Sequence, residues 1–413
     1  MKRISPSRIQ SNTIVALSLI PLSGLAMDVF IPSLPDMALQ LHSTPAAIQL
    51  TLSLFIISYG VGQLIVGGII DSYGRYRPAL VSMLVFSAAS FVIAGTTNLQ
   101  TIYTMRIVQG FTTAMIVVSK RAYFVDVYTG DTLKKYTNLF SLIWSIAPIV
   151  APFIGGFFQT TWGWASNFVF LGVFGLVFFL IDLINGGESI RTAQPFSTRL
   201  ILNSYGRMLK TTDFSMGIIV LGLIWGMLLV FGMAAPFLIE HKLQYSPVVT
   251  GYVSLFSGVS VLIGNTVSRI LYRKSYVKKI RIASSLQLVF LALLIPVTFF
   301  YQNLVTLMLF VFLLHSLGGF IFNNVITYCM IRFPQYAGKA SGLIGGGFAA
   351  LTSVFSSALV STINISNQTM LGVAYAVLSG ATFILLVKTS WKGSEPKEEE
   401  ESEEAAMQVA VEA

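Results

Sequence analysis

Two charged side chains stand inside stretches that are otherwise apolar. Asp28 lies in the run 13–35, and Arg106 lies in the run 101–124. An ionisable group at such depth is costly in hydrocarbon, turns toward a cavity or a partner, and marks a path for ions or protons. Asp28 precedes the far end of its run by about seven residues, and Arg106 enters its own by about five, so at 1.5 Å per residue both sit roughly 10 Å below the same surface. Equal depth permits a pair or a water-bridged contact between them. The chemistry within reach is proton and cation binding, because a carboxylate whose exposure and charged neighbour differ between two conformations holds its proton with different strength in each.

Other polar and aromatic residues inside apolar runs are candidates for a solute site. Tyr59 and Gln63 fall one helical turn apart, as do Arg106 and Gln109, and Asn323 and Asn324 are adjacent. Trp225, Met227 and Phe231 supply an aromatic and methionine face. Together these would line a mostly apolar pocket with a few polar groups, the kind that drug-like ligands occupy; each alone is more often ordinary helix packing. His315, near the middle of its run, either titrates or is satisfied by a neighbouring helix. Asp182 and Glu240 fall near the ends of runs, where an interfacial charge costs little.

Catalysis is not indicated. His42, His241 and His315 are widely separated, and no H-E-x-x-H, phosphate-cradling G-x-x-x-x-G-K-[ST] or serine motif is present. The single cysteine, Cys329, excludes an internal disulfide and a thiolate metal cluster. No catalytic residue, metal ligand or cofactor is expected, and ATP-driven pumping lacks a nucleotide-binding domain.

The elements that must position these residues follow from composition. Hydrophobic residues make up 54% of the 413 and charged residues 10%, against roughly a quarter charged in soluble domains; the surface must therefore face lipid. A helix crosses a bilayer in about 20 apolar residues. The runs lie at 13–35, 47–70, 79–97, 101–124, 136–160 and 164–184, then at 214–239, 248–272, 281–301, 303–331, 340–362 and 370–389. We expect an all-α polytopic membrane protein of twelve transmembrane helices in two pseudo-symmetric six-helix bundles. The divisions are a cytoplasmic N-terminus (1–12), a first bundle (13–184), a cytoplasmic linker (185–213), a second bundle (214–389) and a disordered acidic tail (390–413) with seven glutamates between 395 and 404. No cleavable signal is evident after Met1-Lys2-Arg3. If the N-terminus is cytoplasmic, 24 of the 26 lysines and arginines fall on that side; only Lys242 is opposite, and Arg106 is within a span. That asymmetry orients the chain with both termini inside, and the net charge of +9 reflects topology rather than nucleic-acid binding. Two halves joined by a basic linker suit a transporter with its solute site between them.

Several segments resemble the major facilitator superfamily, and within it the bicyclomycin-resistance (Bcr/CflA-like) branch of drug–proton antiporters. Gly67-Gly68-Ile69-Ile70-Asp71-Ser72-Tyr73-Gly74-Arg75-Tyr76-Arg77 is similar to the G-x-x-x-D-R-x-G-R-[KR]-[KR] signature, departing at Ser72 and Tyr76. Asp28-Val29-Phe30-Ile31-Pro32-Ser33-Leu34-Pro35 resembles D-x-Y-L-P-x-L-P. Arg106-Ile107-Val108-Gln109-Gly110 and Arg121-Ala122-Tyr123-Phe124-Val125-Asp126 resemble R-x-x-Q-G and R-A-x-x-x-D. Ala147-Pro148-Ile149-Val150-Ala151-Pro152-Phe153-Ile154-Gly155-Gly156 resembles A-P-x-x-A-P-x-x-G-G. These matches cover the first half; the second matches in layout, with Asn323 where a proline is usual.

The resemblance implies proton-driven export of amphipathic small molecules by alternating access from the bacterial inner membrane. Asp28 would be the proton and cation site, also touching substrate, and Arg106 its modulator. Asp71, Arg75 and Arg77 would latch the two halves on the cytoplasmic side in the outward-facing state, with Gly67 and Gly74 permitting close approach and unusual backbone angles. Pro148 and Pro152 should bend their helix, and Gly155 and Gly156 should admit a neighbour, closing the path against leakage. The expected partners are a small-molecule substrate, protons and the lipid bilayer, the chain acting as a monomer without nucleic acid. Export of an endogenous metabolite such as a siderophore is the alternative on the same fold; uptake by symport is disfavoured by the proline motif.

Overall fold

The computed structural model describes residues 4–190, 198–271, 274–333 and 337–391. The acidic tail beyond Trp391 and the basic residues Lys2, Arg3, Arg191, Arg273, Lys392 and Lys397 of the charge count lie outside the described residues.

In hydrocarbon every backbone N–H and C=O must find its partner within the segment, and the apolar runs satisfy that requirement as helices. The first six are α1 (Ile9–Gln40), α2 (Pro45–Tyr73), α3 (Tyr76–Ala94), α4 (Leu99–Val127), α5 (Gly130–Trp162) and α6 (Ala165–Asn185). A linker helix, Thr198–Leu209, follows. The second six are α7 (Thr212–Lys242), α8 (Pro247–Ile270), α9 (Tyr276–Phe300), α10 (Leu304–Ile331), α11 (Ala337–Thr362) and α12 (Gln368–Lys388). Eleven of these are long and apolar enough to cross a membrane. The remaining one, α5, is 33 residues long, carries the two prolines, and lies between α4 and α6 in the chain. On the side away from the linker helix, Thr44, Asn98, Asn303 and Asn367 cap α2, α4, α10 and α12 by accepting a backbone N–H of the first turn. These caps satisfy donors that the helix start leaves free.

Each half has its own apolar core. The first is built around Leu22, Phe30, Phe55, Phe86 and Phe168; the second is built around Phe214, Leu221, Ile224, Leu314 and Tyr375. The halves meet along two helix pairs. In the α2–α11 pair, a Cβ on Gly60 would lie 2.9 Å from the carbonyl oxygen of Gly346, and one on Gly346 would lie 2.6 Å from that of Gly60. In the α5–α8 pair, a Cβ on Gly251 would lie 3.0 Å from the carbonyl oxygen of Pro152. Small residues at these crossings let backbones touch, as packing between membrane helices requires.

Helix α1 runs beyond the predicted span at both ends and is not continuous. It consists of Ile9–Leu19, Leu22–Asp28, a 3₁₀ turn Ile31–Ser33, and Leu34–Gln40. Prolines sit at its interruptions because each lacks the N–H that would reach the carbonyl four residues back. For Pro32, that carbonyl belongs to Asp28.

Candidate functional site

The break in α1 sets the position of Asp28. As the last residue of Leu22–Asp28, it stands where regular hydrogen bonding lapses, and the next residue, Val29, turns its carbonyl toward α5. A Cβ on Gly155 would collide with that carbonyl oxygen, so glycine there admits α1. Asp28 is 5% exposed, and its Oδ2 has no hydrogen-bond partner. A buried carboxylate left without partners is costly in either ionisation state, so this one is held by the packing around it.

Asp28 is among the residues that line a cavity of about 140 Å³ between the halves. Helices α1, α5, α7, α8 and α10 contribute its walls, with Trp225, Phe231 and Phe322 the aromatic members. Trp225 and Phe322 pack with ring centroids 4.8 Å apart. Pro148 and Pro152 line the same cavity from α5, which stays helical through both. Ser257 and Asn265 come from α8, and Asn265 Oδ1 is a second buried oxygen without a partner. An acid and a free amide oxygen among aromatic rings suit a solute with an apolar body and a cationic, hydrogen-bond-donating end.

Arg106 is held elsewhere. Its guanidinium lies 4.5 Å from the ring centre of Phe30 and 4.4 Å from that of Phe55. Nη1 donates to the carbonyl of Ala26 and to Gln109 Oε1, both at 2.9 Å, and Nε donates to the carbonyl of Thr51 at 3.2 Å. Among the described residues no ion pair joins it to Asp28. It ties α1, α2 and α4 together.

Only Asp28, Trp225 and Phe231 of the residues expected to touch solute reach the cavity. Tyr59 stacks on Phe55 within the first half. Gln109 donates to Ser90 Oγ at 2.7 Å. Gln63 lies against α11, where a Cβ on Gly345 would approach its Oε1 at 2.7 Å. Asn323 and Asn324 both donate to Ser268 Oγ on α8, at 3.0 and 2.7 Å, and Met227 is buried in the second core. Gln109, Asn323 and Asn324 thus bond to other side chains in the packed interior rather than at the cavity. His315 uses both ring nitrogens, at 2.7 Å from Ser257 Oγ and 2.7 Å from Tyr375 Oη; through Ser257 it supports the cavity wall.

On the linker side, Arg75 Nη1 donates to Asp71 at 2.5 Å, and Arg75 Nε donates to Asp126 at 3.2 Å. The backbone N–H groups of Arg75 and Tyr76 donate to the carboxylate of Glu188 at 2.9 and 3.2 Å. Ser189 Oγ donates to Asp126 at 2.7 Å. Among the described residues the loop is thus tied, in this conformation, to the start of the linker, and Arg77 is exposed. Gly74 has φ +95°, and a Cβ on it would clash with the Glu188 carboxylate. Gly67 corrects the expectation: it is helical, and a Cβ there would meet nothing within 4 Å. Asp182 is also more than an interfacial charge, being 1% exposed and paired with Lys120 Nζ at 2.8 Å. Glu240 accepts from Thr250 Oγ1 at 2.8 Å in a π-helical turn that ends α7.

On the opposite side, Gly156 of α5 admits the second half, since a Cβ on it would lie 2.7 Å from the carbonyl oxygen of Pro247. Glu188, Asn265 and Ser257 were not singled out from the sequence. Asn265 and Ser257 are small polar residues eight apart on α8 (about two turns), a periodicity the sequence does carry.

The profile of the Major Facilitator Superfamily matches residues 17–357. The chain is 29% identical over 335 residues to the MFS-type transporter YdgK of Bacillus subtilis, covering 78% of this chain and 82% of that protein. It is 26% identical over 361 residues to a bicyclomycin resistance protein homolog of Haemophilus influenzae, covering 84% and 88%. The crystal structure of a D-xylose-proton symporter superposes with a TM-score of 0.71 at 14% identity, over 94% of this chain and all of that one.

Proposed function

Because the chain belongs to the Major Facilitator Superfamily and is a multi-pass membrane protein, we propose that it exports amphipathic, preferentially cationic small molecules in exchange for protons by alternating access. The observation that carries this reading is Asp28, a buried acid that lines the cavity between the halves and whose Oδ2 has no hydrogen-bond partner. Such a group holds either a proton or the positive end of a solute. Since one carboxylate cannot serve both at once, the arrival of one displaces the other, which is the elementary step of antiport.

The remaining parts follow. Trp225, Phe231 and Phe322 shelter the apolar body of the solute. Arg106, fixed by rings and carbonyls, sets a constant positive field near Asp28 without neutralising it. The Asp71–Arg75–Asp126 network holds the loop after α2 to the linker in this conformation and would engage the second half when the linker side closes. The asymmetry of basic residues supports a topology with both termini cytoplasmic, and the bacterial inner membrane is the proposed location. Resistance is part of one relative's name, and drugs are the substrate class proposed here; a secreted metabolite of the same chemistry would use the same cavity.

Proteoliposomes loaded with a fluorescent lipophilic cation test the proposal. A pH gradient that sends protons inward against the outgoing dye should drive its export, and collapsing the gradient with an ionophore should stop it. Gradient-independent dye movement would reject proton exchange.

A further inference from the structure

A second space lies beyond the cavity. On the side away from the linker helix, a cleft of about 370 Å³ runs between the ends of α2, α7 and α11, bordered by Gln49, Ala234, Leu238 and Asn364. The wall between the two spaces is thin. Gly232 of α7 lines the cavity, whereas Ala234, two residues on, lines the cleft. Met233, between them, is 1% exposed and packs with Leu229 into the core of the first half.

At this wall α2 is bonded to the other half. Gln49 Nε2 donates to the carbonyl of Met233 at 2.7 Å. One turn along the same face of α2, the carbonyl of Ser53 accepts from Ser353 Oγ at 2.9 Å, and the hydroxyl of Ser53 lies 2.6 Å from that of Ser357. Gln49 is 7% exposed and Ser53 is 1% exposed. Polar side chains in an apolar seam are expensive without partners, so these bonds part only when water from the cleft replaces them. Just past the wall α7 loses its regularity: Pro236 cannot donate to the carbonyl of Gly232, and the helix ends in the π turn Leu238–Lys242. Such interruptions mark places where a helix bends.

We infer that Gln49 and Ser53 of α2, with Met233, Ser353 and Ser357, form the gate between the central cavity and the far-side cleft, and that solute leaves by their separation. The inference rests on the reading that the two halves part alternately. It adds which contacts must break, and it assigns α2 rather than the proline-bearing α5 as the polar bolt.

The test is a distance measurement in the full-length chain without solute or pH gradient, so it is independent of what is carried. Spin labels are placed at Thr97→Cys, in the α3–α4 turn, and Ser366→Cys, in the α11–α12 turn; both positions are exposed, and the native Cys329 is buried. Gln49→Leu removes one bond, and Ser53→Ala separately removes the hydroxyl pair. In each variant the far-side-open, long-distance population should grow about three- to fivefold, the scale set by one interhelical hydrogen bond. Unchanged distance distributions in folded, monodisperse samples of both variants would overturn the gate. Failure of the wild-type chain to exchange protons for cations would instead overturn the transport reading and leave these distances unaffected.

Discussion

Replacing Gly155 with alanine puts a methyl group where α1 and α5 leave no room. The new Cβ would lie 2.7 Å from the carbonyl carbon of Val29 and 3.3 Å from Asn167 Oδ1, and it would overlap the carbonyl oxygen of Val29. Carbon atoms pack at about 3.5–4.0 Å, so the backbones must separate by roughly 1 Å. Neither neighbour at closest approach is a flexible side-chain end; both are main chain at the break in α1. Overpacking of this kind costs about 1–3 kcal/mol, and the displaced segment includes the peptide that follows Asp28. A misplacement of about 1 Å at a reacting group can lower a rate about 100-fold. We therefore expect Gly155→Ala to lower the melting temperature in detergent and to reduce proton-driven dye export in proteoliposomes at least tenfold (about 1.4 kcal/mol). Gly67→Ala, where a Cβ meets nothing within 4 Å, serves as the control and should match wild type in both assays. A Gly155→Ala protein with wild-type melting and export would refute the argument that contact between α1 and α5 positions the acid.

Two further predictions concern the linker side. Lys120→Met leaves the buried Asp182 without its partner and should destabilise the protein by about 3–5 kcal/mol, whereas Lys120→Met with Asp182→Leu should recover most of the loss; equal melting of the single and double variants would count against the pair. Gly74→Ala forces an L-residue to φ +95° at a cost of about 1–2 kcal/mol and crowds Glu188. Adding Glu188→Ala should relieve the crowding but not the backbone cost, and denaturation of both proteins would separate the two effects.

The helices were legible because lipid enforces internal hydrogen bonding on every apolar run, and each run did become a helix. The break in α1 was only half legible: its prolines were visible, but nothing in the sequence said that Val29 would press its carbonyl against Gly155. Asp28 stood out because an isolated acid in an apolar run has few structural uses. Arg106 stood out for the same reason, yet its surroundings did not, since Phe30, Phe55 and Phe168 arrive from three different helices. Tyr59, Gln63, Gln109, Asn323 and Asn324 illustrate the same difficulty. Spacing shows that polar groups share a helix, but which way that helix faces is decided by its neighbours. Glu188 read as ordinary linker polarity, because its role depends on backbone N–H groups more than a hundred residues away. Gln49 and Ser53, four apart in an apolar span, left a faint signal of the right period.

Whether Asp28 exchanges a proton for the solute can be measured without transport. Purified protein in a weakly buffered solution with a pH indicator should release protons when a lipophilic cation is added at a pH where the acid is protonated, and Asp28→Asn should release none while remaining folded. Proton release of wild-type size from the asparagine variant would contradict the assignment of Asp28 as the exchanging group.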